Sequence, residues 1–407
     1  MDDAERVIES VARVSYGRLV SFLAARSGDV ASAEDSLSEA FVAALRTWPS
    51  QGVPAKPEAW LLHAARRRLI DALRLDKTRD THAEALRAVL AEAEEMATDF
   101  TFPDERLKLL FVCAHPAIDA RVHTPLMLQV VLGLDATAIA EAFLTPAATM
   151  GQRLWRAKAK IRDTRIAFAV PTGAELAPRL FSVLEAIYAA YNRGWDDVDG
   201  ADAQRHGLVE ESIWLARLVA ELMPEEPEAL GLLALMQYCE ARRPARRTAQ
   251  GEYVPISLQD TSAWVLPRLE EAEGLLARAA RFGRMGRFQL EAAVQGAHVE
   301  RLRTGSTDWS AIALLYEGLV RLAPTVGALL GRAAAVAEAY GPARGLELMD
   351  QIPAALIAEH QPYWAVRAHL ESRLGRKADA SVHFEQALRL TEDPAVRRFL
   401  ARRAASG

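Results

Sequence analysis

Residues 145–162 combine the side chains that proteins use to read DNA. Thr149, Gln152, Arg153, Arg156 and Lys160 fall on one face of a predicted helix. Arginine can bind guanine or phosphate through two parallel hydrogen bonds, and glutamine can pair with adenine in the same way. A second face is apolar and can dock on a protein core; it consists of Met150, Leu154, Ala157 and Ile161. The pattern therefore predicts a recognition helix for the major groove.

A shorter helix and a turn precede this recognition helix. Asp135 predicts the N-cap of a helix over 136–142, while Thr145 predicts a second N-cap, followed by Pro146 at the first helical position. Six basic residues and one acidic residue lie between positions 145 and 165, which gives the segment a net charge of +5. The arrangement favours a helix-turn-helix, and the alternative is a solvated amphipathic helix in a helical protein.

Acidic residues gather at the start of another predicted helix, near residue 30. Its apolar stripe is predicted to be Ala33, Leu37, Phe41, Leu45 and Trp48. The polar residues predicted to lie away from that stripe are Glu34, Asp35, Ser38 and Glu39. Taken alone, acids in this position are best explained by the helix dipole, which favours negative charge at the N-terminal end.

A third helix is predicted to start at Pro57, after a loop with three prolines that begins at Pro49. Its positive surface comprises Arg66, Arg67, Arg68, Arg74, Lys77 and Arg79. A basic helix is usually just solvated, but this is the second one in a chain whose net charge is −5, which favours a shared anionic partner. Trp60 has two interpretations, a core residue, which we favour, or an aromatic surface for an unstacked base.

The composition predicts an all-α protein and excludes several function classes. The 407 residues are 51% hydrophobic and 7% aromatic, enough for two or three helical domains. Cys113 and Cys239 are too few for a disulfide framework, and Cys113 with His115 lacks further metal ligands at a suitable spacing. We find no signal peptide, no membrane-spanning run and no catalytic motif. We therefore expect a cytoplasmic protein without enzymatic activity, metal or cofactor.

Three segments together resemble the extracytoplasmic-function sigma factors of bacterial RNA polymerase. They are AEDSLSEAF at 33–41, PEAWLLHAARRRLID at 57–71 and the helix-turn-helix at 134–162. The resemblance implies that core polymerase binds Asp35, Glu39 and Phe41. It also implies that the −35 promoter element binds the five residues of the recognition helix given above. The residues implied to bind the −10 element are Trp60, Arg66, Arg67, Arg68 and Arg74.

The C-terminal part carries a weaker repeat pattern. GRKADASVHFEQALRLTEDP, at 375–394, resembles half of a tetratricopeptide (TPR) repeat, with Ala380, Phe384 and Ala387 at its packing positions. A similar segment at 308–324 places Leu322 two 34-residue periods before Leu390. Between the helices lies a polar insert at 241–260, which we interpret as a surface loop or hairpin; its arginines could also touch DNA or an acidic protein.

The sequence thus predicts two small helical sigma domains followed by a TPR-like helical-repeat domain. The predicted ranges are 1–80 for sigma region 2, 81–102 for a linker, 103–168 for sigma region 4 and 171–407 for the repeat domain. We expect a sigma factor whose partners are core RNA polymerase and promoter DNA, with a protein or peptide partner on the repeat domain. That domain is expected to dock on the sigma part and control its activity. The alternative is a helix-turn-helix transcription regulator with a TPR sensor that does not bind polymerase.

Overall fold

The computed structural model describes residues 3–75, 104–143, 145–195, 203–391 and 393–406, so the predicted linker lies outside the described residues. These residues form 20 α-helices and no β-strand beyond one isolated bridge between Arg247 and Tyr253. The all-α prediction is therefore confirmed. The chain divides into two compact units, Met1–Leu215 and Ala216–Gly407.

The first unit contains eight complete helices and most of a ninth within the described residues. They are α1 (Asp3–Ser27), α2 (Val30–Gln51), α3 (Pro57–Leu75), α4 (Arg106–Cys113), α5 (Ala120–Leu132), α6 (Ala136–Ala142), α7 (Ala147–Asp163), α8 (Leu176–Trp195) and α9 (Ala203–Leu222), which crosses into the second unit. The Asp29 side chain caps α2 by accepting hydrogen bonds from the amides of Ala31 and Ser32. Contrary to the sequence prediction, Pro49 lies inside α2, and the loop begins only at Gly52.

Helix α1 is the centre of the first unit, where it packs against α2, α3, α4 and α5. Its Leu19 and Leu23 are fully buried. Gly17 allows α1 to approach α5 very closely, because a Cβ atom at this position would lie 1.9 Å from the carbonyl oxygen of Val131. The two helices can therefore cross at this distance only with glycine at position 17.

Helix α8 packs against α4 and α5. The Thr124 hydroxyl donates to the Ala186 carbonyl at 2.6 Å, and the Arg179 guanidinium donates to the Phe111 carbonyl at 2.6 Å. The first helix after the predicted boundary at residue 171 thus belongs to the first compact unit. The functional domain boundaries given by the sequence stay a prediction.

The second unit is a succession of helices that pack on their neighbours along the chain, for example α10 on α11 and α14 on α15. They are α10 (Pro227–Arg242), α11 (Leu266–Ala280), α12 (Arg287–Val299), α13 (Arg301–Thr304), α14 (Trp309–Leu322), α15 (Val326–Tyr340), α16 (Pro342–Met349), α17 (Ala354–Ile357), α18 (Gln361–Arg373), α19 (Lys377–Leu390) and α20 (Pro394–Ser406). Ala380, Phe384 and Ala387 are buried in one core cluster with Leu400, as expected for packing positions. The TPR assignment itself stays a prediction.

The polar insert after α10 folds against the last helix of the same unit. Arg247 forms an ion pair with Asp393 at 2.6 Å, and Tyr253 packs edge-on against Phe399 with ring centroids 5.5 Å apart. Arg243 pairs with Glu240 at 2.8 Å. These arginines therefore stabilise the second unit from within.

Candidate nucleic-acid interface

The turn between α6 and α7 follows the predicted pattern in part. Asp135 caps α6 by accepting hydrogen bonds from the amides of Thr137 at 2.8 Å and Ala138 at 3.0 Å, which confirms this N-cap. The predicted cap of α7 is wrong by one residue, since Pro146 is the N-cap and α7 starts at Ala147. The reason is that the Thr145 hydroxyl turns back and donates to the carbonyl of Phe143 instead of capping the next helix.

The apolar face of α7 is buried as its spacing predicts. Met150, Leu154, Ala157 and Ile161 are all in the core. Through this side α7 packs on α6, α5 and α2. The docked stripe fixes the direction of the opposite face, because side chains three and four residues apart lie together on a helix.

The predicted DNA-reading residues lie on the outer side of α7. Gln152, Arg153, Arg156 and Lys160 are exposed, and Thr149 is half-buried. They form a polar surface outside the buried stripe. The indole of Trp155, 66% exposed, lies on the same helix. Trp155 is not among the predicted site residues, although the sequence places it outside the buried stripe.

Lys158 is a basic residue of α7 whose side chain is largely buried and does not belong to the exposed polar face. Its ammonium group donates to the Glu34 carboxylate of α2 at 2.8 Å, and both side chains are largely buried. The prediction that Glu34 lies away from the core is therefore wrong. The helical period of α2 could not reveal this, because the partner lies 124 residues away in the sequence.

Several groups surround the Glu34 carboxylate and set its electrostatics. The Tyr16 hydroxyl donates to it at 3.5 Å, and the thiol of Cys113 lies close enough for the charge of Glu34 to affect its pKa. Burial raises the pKa of Glu34, while Lys158 acts in the opposite direction. Burial and the negative charge of Glu34 also raise the pKa of Tyr16 and of Cys113. The site is thus a buried ion pair with a neutral phenol and thiol beside it.

Of the six predicted basic residues of the third helix, the structure describes the side chains of Arg66, Arg67 and Arg68, while Lys77 and Arg79 lie outside the described residues. Arg67 and Arg68 are exposed, and Arg66 is half-buried with its guanidinium 5.4 Å from the ring centroid of Phe22. Burial and the neighbouring Arg26 lower the pKa of Arg66. Trp60 is half-buried and packs edge-on against Trp48, with centroids 5.4 Å apart. The side chain of Arg74 lies outside what the structure describes.

The outer face of α2 carries the residues implied to bind polymerase. Asp35 and Glu39 are exposed, and Phe41 is half-buried. Glu39 forms an ion pair with Arg68 of α3, so two predicted binding surfaces meet at this pair. Leu45, predicted as part of the buried stripe, is instead 47% exposed, because α2 packs through Ala40, Ala44 and Trp48. The exposed face of α2 thus includes the apolar side chain of Leu45, which we predicted to be buried.

Cys113 and His115, the pair considered as metal ligands in the sequence, lie in different surroundings. Cys113 is buried, and His115 accepts a hydrogen bond from the Ala117 amide at 3.1 Å. Within the described ranges, no group of three or more potential metal ligands occurs. No helix in the same ranges is long and apolar enough to cross a membrane.

Two segments of the chain match known protein families. Residues 12–79, which include most of α1 and all of α2 and α3, match sigma-70 region 2. Residues 179–280 match a family of unknown function, DUF6596. An uncharacterized protein of Rhizobium meliloti (strain 1021) is 36% identical over 364 residues, which cover 88% of this chain and 86% of its relative. No solved structure matches the chain.

Proposed function

Since the chain belongs to the family of that Rhizobium meliloti protein and carries a sigma-70 region 2 domain, we propose that it is a sigma factor that directs core RNA polymerase to specific promoters. The observation that carries the proposal is the region 2 match at 12–79. This region supports a sigma-factor-like role in transcription initiation, with core polymerase and promoter DNA as partners. The role requires binding and DNA opening rather than catalysis, and it belongs to the cytoplasm, where bacterial transcription takes place.

Within this proposal α2 and α3, the two helices of region 2 discussed above, have separate tasks. The exposed acids of α2, Asp35 and Glu39, bind basic groups of the polymerase. The arginines of α3 bind the phosphates of the −10 element. Trp60 has only part of its ring available, so we assign it a packing role against Trp48 beside that surface.

Helix α7 is proposed as the reader of the −35 element. Three observations support this role: a capped short helix before it, a fully docked apolar stripe and an exposed face with Gln152, Arg153 and Arg156. Gly151 has no side chain that could add a phosphate contact. We also propose that the second unit binds a protein or peptide and thereby controls promoter use.

A transcription assay with the whole chain tests the proposal. Sites bound by the tagged protein are mapped in cells, and the recovered fragments are transcribed with purified core polymerase. We expect core polymerase to copurify with the protein and specific transcripts to start beside the mapped sites only when the protein is added. DNA binding without retention of core polymerase would instead support a regulator of the helix-turn-helix class.

A further inference from the structure

Two arginines of the second unit have no acidic partner within the described residues. Arg242, the last residue of α10, is 6% exposed, and its guanidinium donates to the neutral side chain of Gln295 on α12. Arg301, the first residue of α13, is half-buried and donates to three backbone carbonyls between residues 256 and 259, at 2.8 to 3.0 Å. Since amides carry no net charge, both guanidinium groups lack a counter-charge, which is costly for a group removed from water.

The two guanidinium groups lie close to one another and to His298. Burial and the charges of Arg242 and Arg301 lower the pKa of His298, and burial and the charge of Arg242 lower the pKa of Arg301. The neighbouring acids Glu240 and Glu291 each form an ion pair with a different arginine, at 2.8 and 2.7 Å. We call Arg242, Arg301 and His298 the arginine cluster. It carries the two positive charges of its arginines at neutral pH, because His298 is uncharged there.

The segment that follows α10 packs against the arginine cluster. The amide of Val265 donates to the Ala241 carbonyl at 2.9 Å, which places the end of this segment beside Arg242. Trp264 is 4% exposed, and the Arg301 guanidinium lies 5.3 Å from the centroid of its ring. The cluster is therefore buried at Arg242, while the half-buried Arg301 keeps part of it within reach of solvent and of a small ion.

Three polar atoms around the cluster are buried without a hydrogen-bond partner in the described part of the chain. Two are N–H donors, Nε of Arg242 and Nε1 of Trp264. The third is an acceptor, Oε1 of Gln259, whose backbone carbonyl binds Arg301. Buried polar groups of folded proteins nearly always have a partner. A water molecule can pair with these atoms, but it does not balance two positive charges.

We propose that the arginine cluster is a binding site for a phosphate group, with free hydrogen phosphate as its ligand. Hydrogen phosphate has two negative charges, which balance Arg242 and Arg301, and its oxygen atoms can accept from Nε of Arg242 and Nε1 of Trp264. Its single O–H group can donate to Oε1 of Gln259, which a sulfate ion of the same charge and shape cannot do. The second unit thus holds a small-molecule site that does not depend on the proposed function.

Isothermal titration calorimetry on the full chain, in phosphate-free buffer at constant ionic strength, tests the proposal. We expect inorganic phosphate to bind at one site per chain. Sulfate should bind at least ~10-fold more weakly, because the buried acceptor of Gln259 stays unpaired beside it. Glycerol 3-phosphate is the third ligand. Tighter binding than that of inorganic phosphate would support the phosphate site and overturn free phosphate as its ligand.

Two variants each remove part of the site. Arg242→Met removes the buried charge and its unpaired donor but retains much of the apolar volume, so phosphate should bind at least ~10-fold more weakly. Trp264→Phe retains an aromatic ring without the N–H group, which should weaken binding about fivefold. The matched control is Arg278→Met, at an exposed position of α11, which changes the net charge by the same amount and should alter the affinity less than ~2-fold.

Thermal unfolding distinguishes ligand binding from a purely structural role of Arg242. Without phosphate, Arg242→Met should melt at a higher temperature than the wild type, because it removes a buried charge that has no partner. Saturating phosphate should raise the melting temperature of the wild type by about 2–4 °C and leave that of the variant unchanged. A variant that melts at a lower temperature than the wild type both with and without phosphate would show a structural arginine and overturn the proposal.

Absence of saturable phosphate binding would also overturn the site, as would equal phosphate affinities of the wild type, Arg242→Met and Trp264→Phe. Equal affinity for sulfate and phosphate would overturn the role of Gln259 and the choice of hydrogen phosphate. Circular dichroism verifies that each variant is folded, and Trp264→Phe still decides the outcome if Arg242→Met does not fold. Because all measurements use the free protein, a failure to bind core polymerase would reject the proposed function and leave this site unaffected.

Discussion

Arg153 and Arg156 are exposed on α7, where we propose that they bind base edges and phosphates. A good bidentate arginine contact contributes about 1–3 kcal/mol to DNA discrimination. We therefore expect Arg153→Ala/Arg156→Ala to weaken binding to the cognate promoter at least ~10-fold and to abolish transcription from it. Melting temperature and affinity for core polymerase should not change.

The matched control for each single arginine variant is Arg121→Ala. Arg121 is an exposed arginine of α5, and its removal changes the net charge by the same amount. Promoter titrations at two salt concentrations separate the two effects, because a lost phosphate contact also lowers the salt dependence. Full promoter-directed transcription by the double variant would reject the assignment of α7.

His298 gives the second unit a predictable response to acid. Burial, together with the charges of Arg242 and Arg301, lowers the pKa of His298 to about 4, from 6.5 for the free side chain. The unfolded chain therefore takes up a proton at a higher pH than the folded one. The resulting stabilisation is complete above pH 6.5, decreases as the pH falls below that value and is lost near pH 4, with a size of up to about 3 kcal/mol.

The measurement is the free energy of unfolding at pH 7 and at pH 4.5, for the wild type and for His298→Gln. We expect the pH dependence to be smaller in the variant, because glutamine takes up no proton. His63→Gln, at an exposed position of α3, serves as the control and should keep the wild-type dependence. An identical acid response of wild type and His298→Gln would contradict the prediction.

At the scale of single helices, the outer face of α2 is the proposed contact with core polymerase. Asp35→Lys/Glu39→Lys should weaken core binding, because it places positive charge opposite the basic polymerase groups that we propose these acids bind. Little folding stability should be lost, since the Glu39–Arg68 pair is more than one third exposed and such pairs contribute little. Asp379→Lys/Glu385→Lys, two exposed acids of α19, reverses the same number of charges elsewhere.

Competition for core polymerase at low and moderate salt measures this effect. The difference between the α2 variant and the α19 variant should shrink as salt screens the charges. Equal affinity of both variants at every salt concentration would show that the acids of α2 do not contribute to polymerase binding.

Helical periodicity predicts α7 well and α2 only in part, and the difference has a physical cause. The stripe of α7 docks on one side of its neighbours, so a spacing of three and four residues identifies all four buried positions. Helix α2 contacts α1, α3 and α7 at once, so its buried surface is wider and includes Glu34. A carboxylate can be buried there only because Lys158 reaches it from a distant segment, which no local pattern contains.

The two compact units do not coincide with the predicted functional domains. The match to the family of unknown function begins at residue 179, in α8, and ends at residue 280, at the end of α11. Helix α8 nevertheless packs with α4 and α5 in the first unit. Its Leu180, Val183 and Ile187 are buried, but the composition of a helix alone does not identify which neighbours bury it. Removal of everything after residue 169 would therefore remove a packed helix of the first unit together with the whole second unit.

Two truncations separate these effects. Ending the chain after Ala169 removes Leu180, Val183, Leu184 and Ile187, all buried side chains that contribute about 1.5–3 kcal/mol each when fully covered. Such a loss is comparable to the whole stability of a domain, so we expect this fragment to melt at a much lower temperature or to aggregate. Ending the chain after Trp195 retains α8 and should preserve a cooperative thermal transition.

The fragment that ends after Trp195 then tests whether the remaining chain controls promoter use. A tethered second unit acts at high effective concentration, so even a weak contact with polymerase, DNA or the first unit can position the complex. We expect the fragment to bind core polymerase and to give reduced promoter-directed transcription compared with the full chain, which would support a positioning role. Raised activity would support an inhibitory role instead. Equal activity across several mapped promoters would contradict any control by residues 196–407 and would leave that part of the chain with a separate task.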